Sequence, residues 1–193
     1  MRLKESKALA AFTLIELLVV MFIFTIISGV ILANHSRFNS SVLLGSLAYN
    51  MALSVRQAQV YGLSVQTFGA NFKVGYGVHF SAPDSYIFFA DTNATKRYED
   101  GVDSILQTYS VGRGHTLTRF CGVLERGSQE CSDDSGSPIT HLDVVFFRPD
   151  PDANISSENP GYYSRGVITV ASPSGETRTV TVESTGQISV VTQ

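Results

Sequence analysis

Between Phe12 and Ala33 the chain carries one charge, Glu16, placed near the start of an otherwise apolar run. A run of this length can cross a bilayer, which takes about 20 residues. It contains no proline, and Gly29 is its only helix-weakening residue. A carboxylate in such a segment costs about 2.5–3.5 kcal/mol at a helix centre on insertion scales, so Glu16 calls for a functional reason. Ahead of the run stand Arg2, Lys4 and Lys7. A basic flank on one side and a long polar remainder on the other obey the positive-inside rule. Residues 1–11 are therefore expected to stay cytoplasmic, and the body of the chain to lie across the membrane.

The rest of the chain reads as one domain with an appendage. At 193 residues and 44% hydrophobic content there is enough apolar material for a real core. The formal charge is −3, and residues 1–11 together carry +2, so the remainder is about −5. A mildly acidic body has no basic footprint for nucleic acid, and no nucleic-acid partner is expected. Beyond Ala33, apolar residues recur at Leu44, Leu47, Ala48, Met51, Val55, Ala58 and Gly62. Spacings of three and four mark one face of an amphipathic helix, with Ser46, Asn50, Ser54, Arg56 and Gln57 off the stripe. The simplest reading is one helix from about Phe12 to Tyr61, roughly 75 Å long at 1.5 Å per residue.

After Gly62 the period changes to that of strands. Ser64–Phe68, Lys73–Phe80, Tyr86–Ala90, Thr116–Leu124 and His141–Phe147 alternate or are rich in aromatic and β-branched residues. Gly166–Ala171, Thr177–Glu183 and Gln187–Val191 read as a meander, with turns at 172–175 and 184–186. Alternate residues Val180, Val182, Ile188 and Val190 predict one buried face. Two stretches, Arg126–Pro138 and Pro149–Gly161, read as exposed loops. Strands following one helix give an α+β domain, its antiparallel sheets packed on the C-terminal half of that helix. The expected division is 1–11, a leader; 12–33, a membrane or filament-core helix; 34–62, its amphipathic continuation; and 63–193, a β-rich extracytoplasmic domain.

The segment Ala11-Phe12-Thr13-Leu14-Ile15-Glu16-Leu17-Leu18-Val19-Val20 resembles the processing site of type IV prepilins and type II secretion pseudopilins. The resemblance implies a structural subunit, not an enzyme, of a type IV pilus or a secretion pseudopilus. It implies cleavage between Ala11 and Phe12 by a membrane prepilin peptidase, followed by N-methylation of Phe12. Alanine stands at position 11 where the family usually has glycine. The implied partners are other pilins or pseudopilins in a helical filament, the inner-membrane assembly platform and membrane lipid. The implied location is the bacterial inner membrane, single-pass, then the filament. Cleavage would make Glu16 the fifth residue, one helical turn from the new α-ammonium. Glu16 of one subunit could then meet the Phe12 amine of its neighbour, offsetting desolvation and setting the axial register.

Further along, Leu53-Ser54-Val55-Arg56-Gln57-Ala58-Gln59 resembles the L-x-x-A-R-x-x-A helix of GspH/FimT-like minor pseudopilins, with Val55 in place of the usual alanine. The ending Thr177–Val190 resembles that family's closing strand pair.

Cys121 and Cys131 are the only cysteines. In an extracytoplasmic domain they read as a disulfide closing a local loop. The alternatives are two free thiols or a zinc site, and the latter lacks a CxxC pair or a close histidine. His35, His79, His115 and His141 show no ligand or triad spacing, and read as surface or strand residues. Asp133-Asp134 and Asp150–Asn154 are oxygen-rich but do not match a calcium loop. No residue set implies a metal or cofactor. The rival reading is a membrane-anchored binding module, a minor pilin for DNA uptake or adhesion. Its arginines, Arg113, Arg119, Arg126, Arg148, Arg165 and Arg178, are scattered along the chain rather than clustered.

Overall fold

The computed structural model describes residues 12–64, 74–81, 83–159 and 161–192, with the backbone alone for 33–39. Two compact units are present, Met1–Asn39 and Ser40–Gln193. Helical backbone, α1, covers Leu14–Leu63, close to the expected Phe12–Tyr61. Among the described residues ten strands follow: β1 Gly75–Ser81, β2 Ser85–Asp91, β3 Ser104–Ser110, β4 Thr116–Val123, β5 Gln129–Cys131, β6 His141–Phe146, β7 Ala153–Ser156, β8 Arg165–Ala171, β9 Thr177–Glu183 and β10 Ile188–Thr192. They form two five-stranded sheets, ordered β3-β2-β1-β6-β7 and β10-β9-β8-β4-β5. Every pairing is antiparallel. The α+β class expected from the pattern change after Gly62 is what is found. Of the expected strand Ser64–Phe68, only Ser64 lies within the described residues, and Lys73 also lies outside them.

In the second unit the helical stripe does what its spacing predicts. Leu44, Ala48, Met51, Val55 and Ala58 are fully buried, in one cluster with Val78, Phe80 and Phe88 of the first sheet and Ile168, Val170 and Val180 of the second. Gly62 closes the stripe for a steric reason: a Cβ there would run into the Phe146 carbonyl. Tyr61 packs edge-on against Tyr76 and Phe88, with centroids 5.5 and 5.6 Å away. Two polar side chains sit in this interface with partners, as buried polar groups must. Ser54 bonds the Asn50 carbonyl at 2.9 Å and meets the Tyr86 hydroxyl at 3.3 Å. Gln59 donates to the carbonyls of Pro151 and Gly186, each at 3.1 Å.

The sheets differ in how they are covered. β8 alternates buried and half-buried residues, so the second sheet has one core face. β1 and β6 are buried almost continuously, on both faces. The outer face of the first sheet is covered by the segment 92–103, and three carboxylates hold that segment by its backbone. Asp91 accepts N–H bonds from Thr95 and Lys96 at 3.2 and 2.7 Å. Asp103 accepts from Thr92 and Glu99 at 3.0 and 2.8 Å. Asp143 accepts from Tyr98 at 3.1 Å and bonds His79 Nδ1 at 2.6 Å. Burial pushes the carboxyls of Asp91 and Asp103 above the ordinary range, against the pull of those N–H bonds.

Two stretches read as exposed loops hold short strands. β5 lies in Arg126–Pro138, and β7 in Pro149–Gly161, where Ala153, Ile155, Ser156 and Ser157 are buried. The far rim is knitted by Tyr163. Its hydroxyl bonds Ser157 at 2.8 Å and donates to Glu130 at 2.5 Å, while its ring occupies the space a Cβ on Gly122 would need. Both Tyr86 and Tyr163 are pushed up to about 12 by burial; Glu130 adds to the rise for Tyr163. A raised folded value means that the stabilisation is complete below the unfolded value near 10 and is lost as pH rises through 12. Among the eight tyrosines, absorbance titration at 295 nm should therefore show two that ionise only near pH 12, with unfolding. Tyr86→Phe should remove one of the two.

Candidate assembly site

The N-terminal helix begins with a cap. Thr13 precedes Leu14, and its Oγ1 accepts the Glu16 N–H at 3.3 Å, while its carbonyl accepts the Leu17 N–H at 3.2 Å. Thr13 at the N-cap and Glu16 three residues later form the Thr-x-x-Glu pattern of a capping box. A threonine cap is worth about 1 kcal/mol. The Glu16 carboxylate also lies in the first turn, where the helix dipole favours negative charge by roughly 0.3–1 kcal/mol. Sequence reasoning about Glu16 alone overlooked Thr13; the four-residue pattern was the signal available. Ala11, the residue before the expected cut, lies outside the described residues.

Past this turn the helix is apolar on every side. Leu14–Leu32 is long and apolar enough to span a membrane, and none of it is buried within its own chain. Phe12 is 80% exposed and Phe24 68%. Thr25 returns its hydroxyl to the Met21 carbonyl at 2.8 Å, which hides a polar group inside the helix. At about 25 cal/mol per Å² of apolar surface, such a face is driven strongly towards lipid or other chains.

In the second unit, Cys121 and Cys131 are directly opposite each other on β4 and β5 and are joined as a disulfide. Arg119 reaches across the same corner, to Asp133 at 2.9 Å and to Cys131 Sγ at 3.1 Å. Cys131, Asp133 and Asp134 cluster closely enough to suggest a metal site. The sulfur is committed to the disulfide, however, and Asp134 accepts the Cys131 N–H at 2.7 Å. The histidines are more organised than their spacing implied. His79 and His141 lie on β1 and β6 with ring centroids 5.3 Å apart, and His141 Nε2 is 3.6 Å from Asp143. His115 is buried, with Nε2 3.4 Å from the Ser40 carbonyl. The cross-strand pair His79↔Asp143 spans 64 residues of sequence, which no local pattern reveals.

A helix with a capped acidic first turn, preceded by a basic segment and followed by an uncovered apolar face, invites one comparison. Residues 7–32 match the prokaryotic N-terminal methylation motif. The chain therefore carries a type IV pilin-like prepilin leader, ahead of an α+β, pilin-like architecture. Such a leader suggests a structural subunit. It implies processing by prepilin peptidase and assembly with other pilins, and its apolar helix fits a membrane-anchored pilin. No curated protein and no solved structure matches the chain significantly.

The loop closed by the disulfide spans a sequence separation of 10. Loop-entropy arithmetic for that length gives roughly 2–3 kcal/mol of stabilisation. The double variant Cys121→Ser, Cys131→Ser should lose about that much in denaturant unfolding, with the loss concentrated at the β4–β5 corner.

Proposed function

We propose that this protein is a minor pilin or pseudopilin, cut between Ala11 and Phe12, N-methylated at Phe12, and inserted by its N-terminal helix into a helical filament. The observation that carries the reading is the leader match over residues 7–32 joined to a helix long and apolar enough to span a membrane. Before the cut, the N-terminal segment stays cytoplasmic and the helix anchors the chain in the bacterial inner membrane, with the β-rich unit beyond it. The assembly platform then moves the mature subunit into a type IV pilus or a type II secretion pseudopilus. The Leu53–Gln59 helix and the closing Thr177–Val190 strand pair favour the GspH/FimT-like branch.

Glu16 sets the register. In an apolar surround its carboxylate needs a cation, and the mature Phe12 amine of a neighbour supplies one. The cap at Thr13 accepts the backbone N–H of Glu16 and so fixes that residue in the first turn of the helix. Two of the arginines that a nucleic-acid-binding module would need are paired within the chain, Arg119 with Asp133 and Arg165 with Glu183. That pairing favours the structural reading over DNA capture.

Intact mass measurement of the protein from membranes with and without prepilin peptidase tests the proposal. A chain starting at methylated Phe12 is expected when the peptidase is present, and one starting at Met1 when it is absent. Met1 in both samples would refute the reading.

A further inference from the structure

The two sheets end differently at their two rims. At one rim the edge strands are short, β5 with three residues and β7 with four, and the edge is closed. Tyr163 bridges to Ile155, Ser164 donates to the Val123 carbonyl at 2.8 Å, and Glu130 takes bonds from Tyr163 and Asn159. At the other rim stand β3 and β10, each with one hydrogen-bonded neighbour among the described residues. Natural edge strands are guarded by charge, proline or brevity. Ser-Ile-Leu-Gln-Thr-Tyr-Ser and Ile-Ser-Val-Val-Thr carry no charge and no proline. Ile105 is 50% exposed and Val191 48%.

Both open edges flank the same helix. Tyr49, Leu53 and Arg56 line a groove with Ile188 and Val190 of β10. Leu53 also borders a hollow beside Tyr109 and Ser110 of β3. Tyr49 and Leu53 are themselves largely exposed. Charge distinguishes the two edges. Glu99 and the exposed Asp100 precede β3, whereas Arg178 is the register partner of Thr192 at the end of β10.

We infer that β3 of one copy adds antiparallel to β10 of a second copy, so that the globular units join head to tail through a continuous sheet. Antiparallel alignment brings the acidic entrance of β3 to Arg178 and sets Ile105 against Val191. Main-chain bonds supply the affinity, and the apolar groove beside β10 accepts the side chains of the incoming strand. Because the two edges differ, the contact is heterologous and does not close on itself, so it can link successive copies of this chain rather than a closed dimer. The inference rests on the filament reading, and it brings at least two copies of this chain into contact whatever other pilins the filament holds.

The test is oxidative cross-linking of the full-length chain in its own membrane, with Ile105→Cys and Val191→Cys. The native cysteines are already bonded to each other. The double variant is expected to give a ladder of dimers, trimers and larger adducts, while either single variant gives monomer. Absence of the ladder, or dimers from a single variant, would overturn the pairing. Asp100→Lys should lower the adduct yield about threefold, the scale of an exposed ion pair, and Arg178→Asp should restore it. An unchanged yield in Asp100→Lys would overturn the antiparallel register. The N-terminal mass of the same sample separates the two proposals. A Phe12 terminus without a ladder would overturn the edge pairing alone, and a ladder on chains that keep Met1 would overturn the filament reading alone.

Discussion

A helix that is apolar on every side must be covered by lipid or by other apolar surface. Leu14–Leu32 presents apolar side chains in every direction, and no part of it is buried in the protein. Lipid satisfies that demand when the chain is a monomer, and neighbouring helices satisfy it in an assembly. The carboxylate at Glu16 is what makes the two environments unequal. In lipid it stands near the end of the span, eased by the first-turn dipole. Among packed helices it requires a cation, and the proposed cut before Phe12 would create one. On that proposal, the cut supplies the charge that selects the assembled state.

The second unit is built on a separate basis. Its stability comes from the stripe Leu44–Gly62 seated on both sheets and from the segment 92–103 held over the first sheet by Asp91, Asp103 and Asp143. Covering both faces of β1 and β6 makes that sheet rigid, and the Tyr163–Glu130 corner with the disulfide fixes the far rim. Among the described residues, β3 and β10 beside the helix each keep one edge without a paired strand.

Much of this was legible in the chain because it is written in local period. The stripe at Leu44, Leu47, Ala48, Met51, Val55 and Ala58 fell at helical spacing, and its members are buried or half-buried. The β8–β9–β10 meander was bounded by turn residues, and the Val180–Val190 and Val182–Ile188 pairs share a face as alternation required. β3 escaped notice because both of its faces are largely exposed, which leaves no alternation to read. β7 was hidden by brevity and by the prolines around it. Ser54 lies off the apolar stripe, yet it is buried, because the Tyr86 hydroxyl gives it a partner from another element. The cluster of Asp143, His79 and His141 depends on strand register, which sequence spacing does not carry. At the N-terminus the leader pattern was readable in full, but the cap beneath Glu16 required Thr13 and Glu16 to be taken together.

The central claim is that Glu16 acts between subunits rather than within one. Glu16→Ala in the full-length chain, followed separately into the membrane and into sheared or extracted filaments, tests it most directly. The account requires membrane insertion and cleavage to remain normal while recovery in the filament fraction collapses. Recovery at the level of the unaltered chain would contradict it.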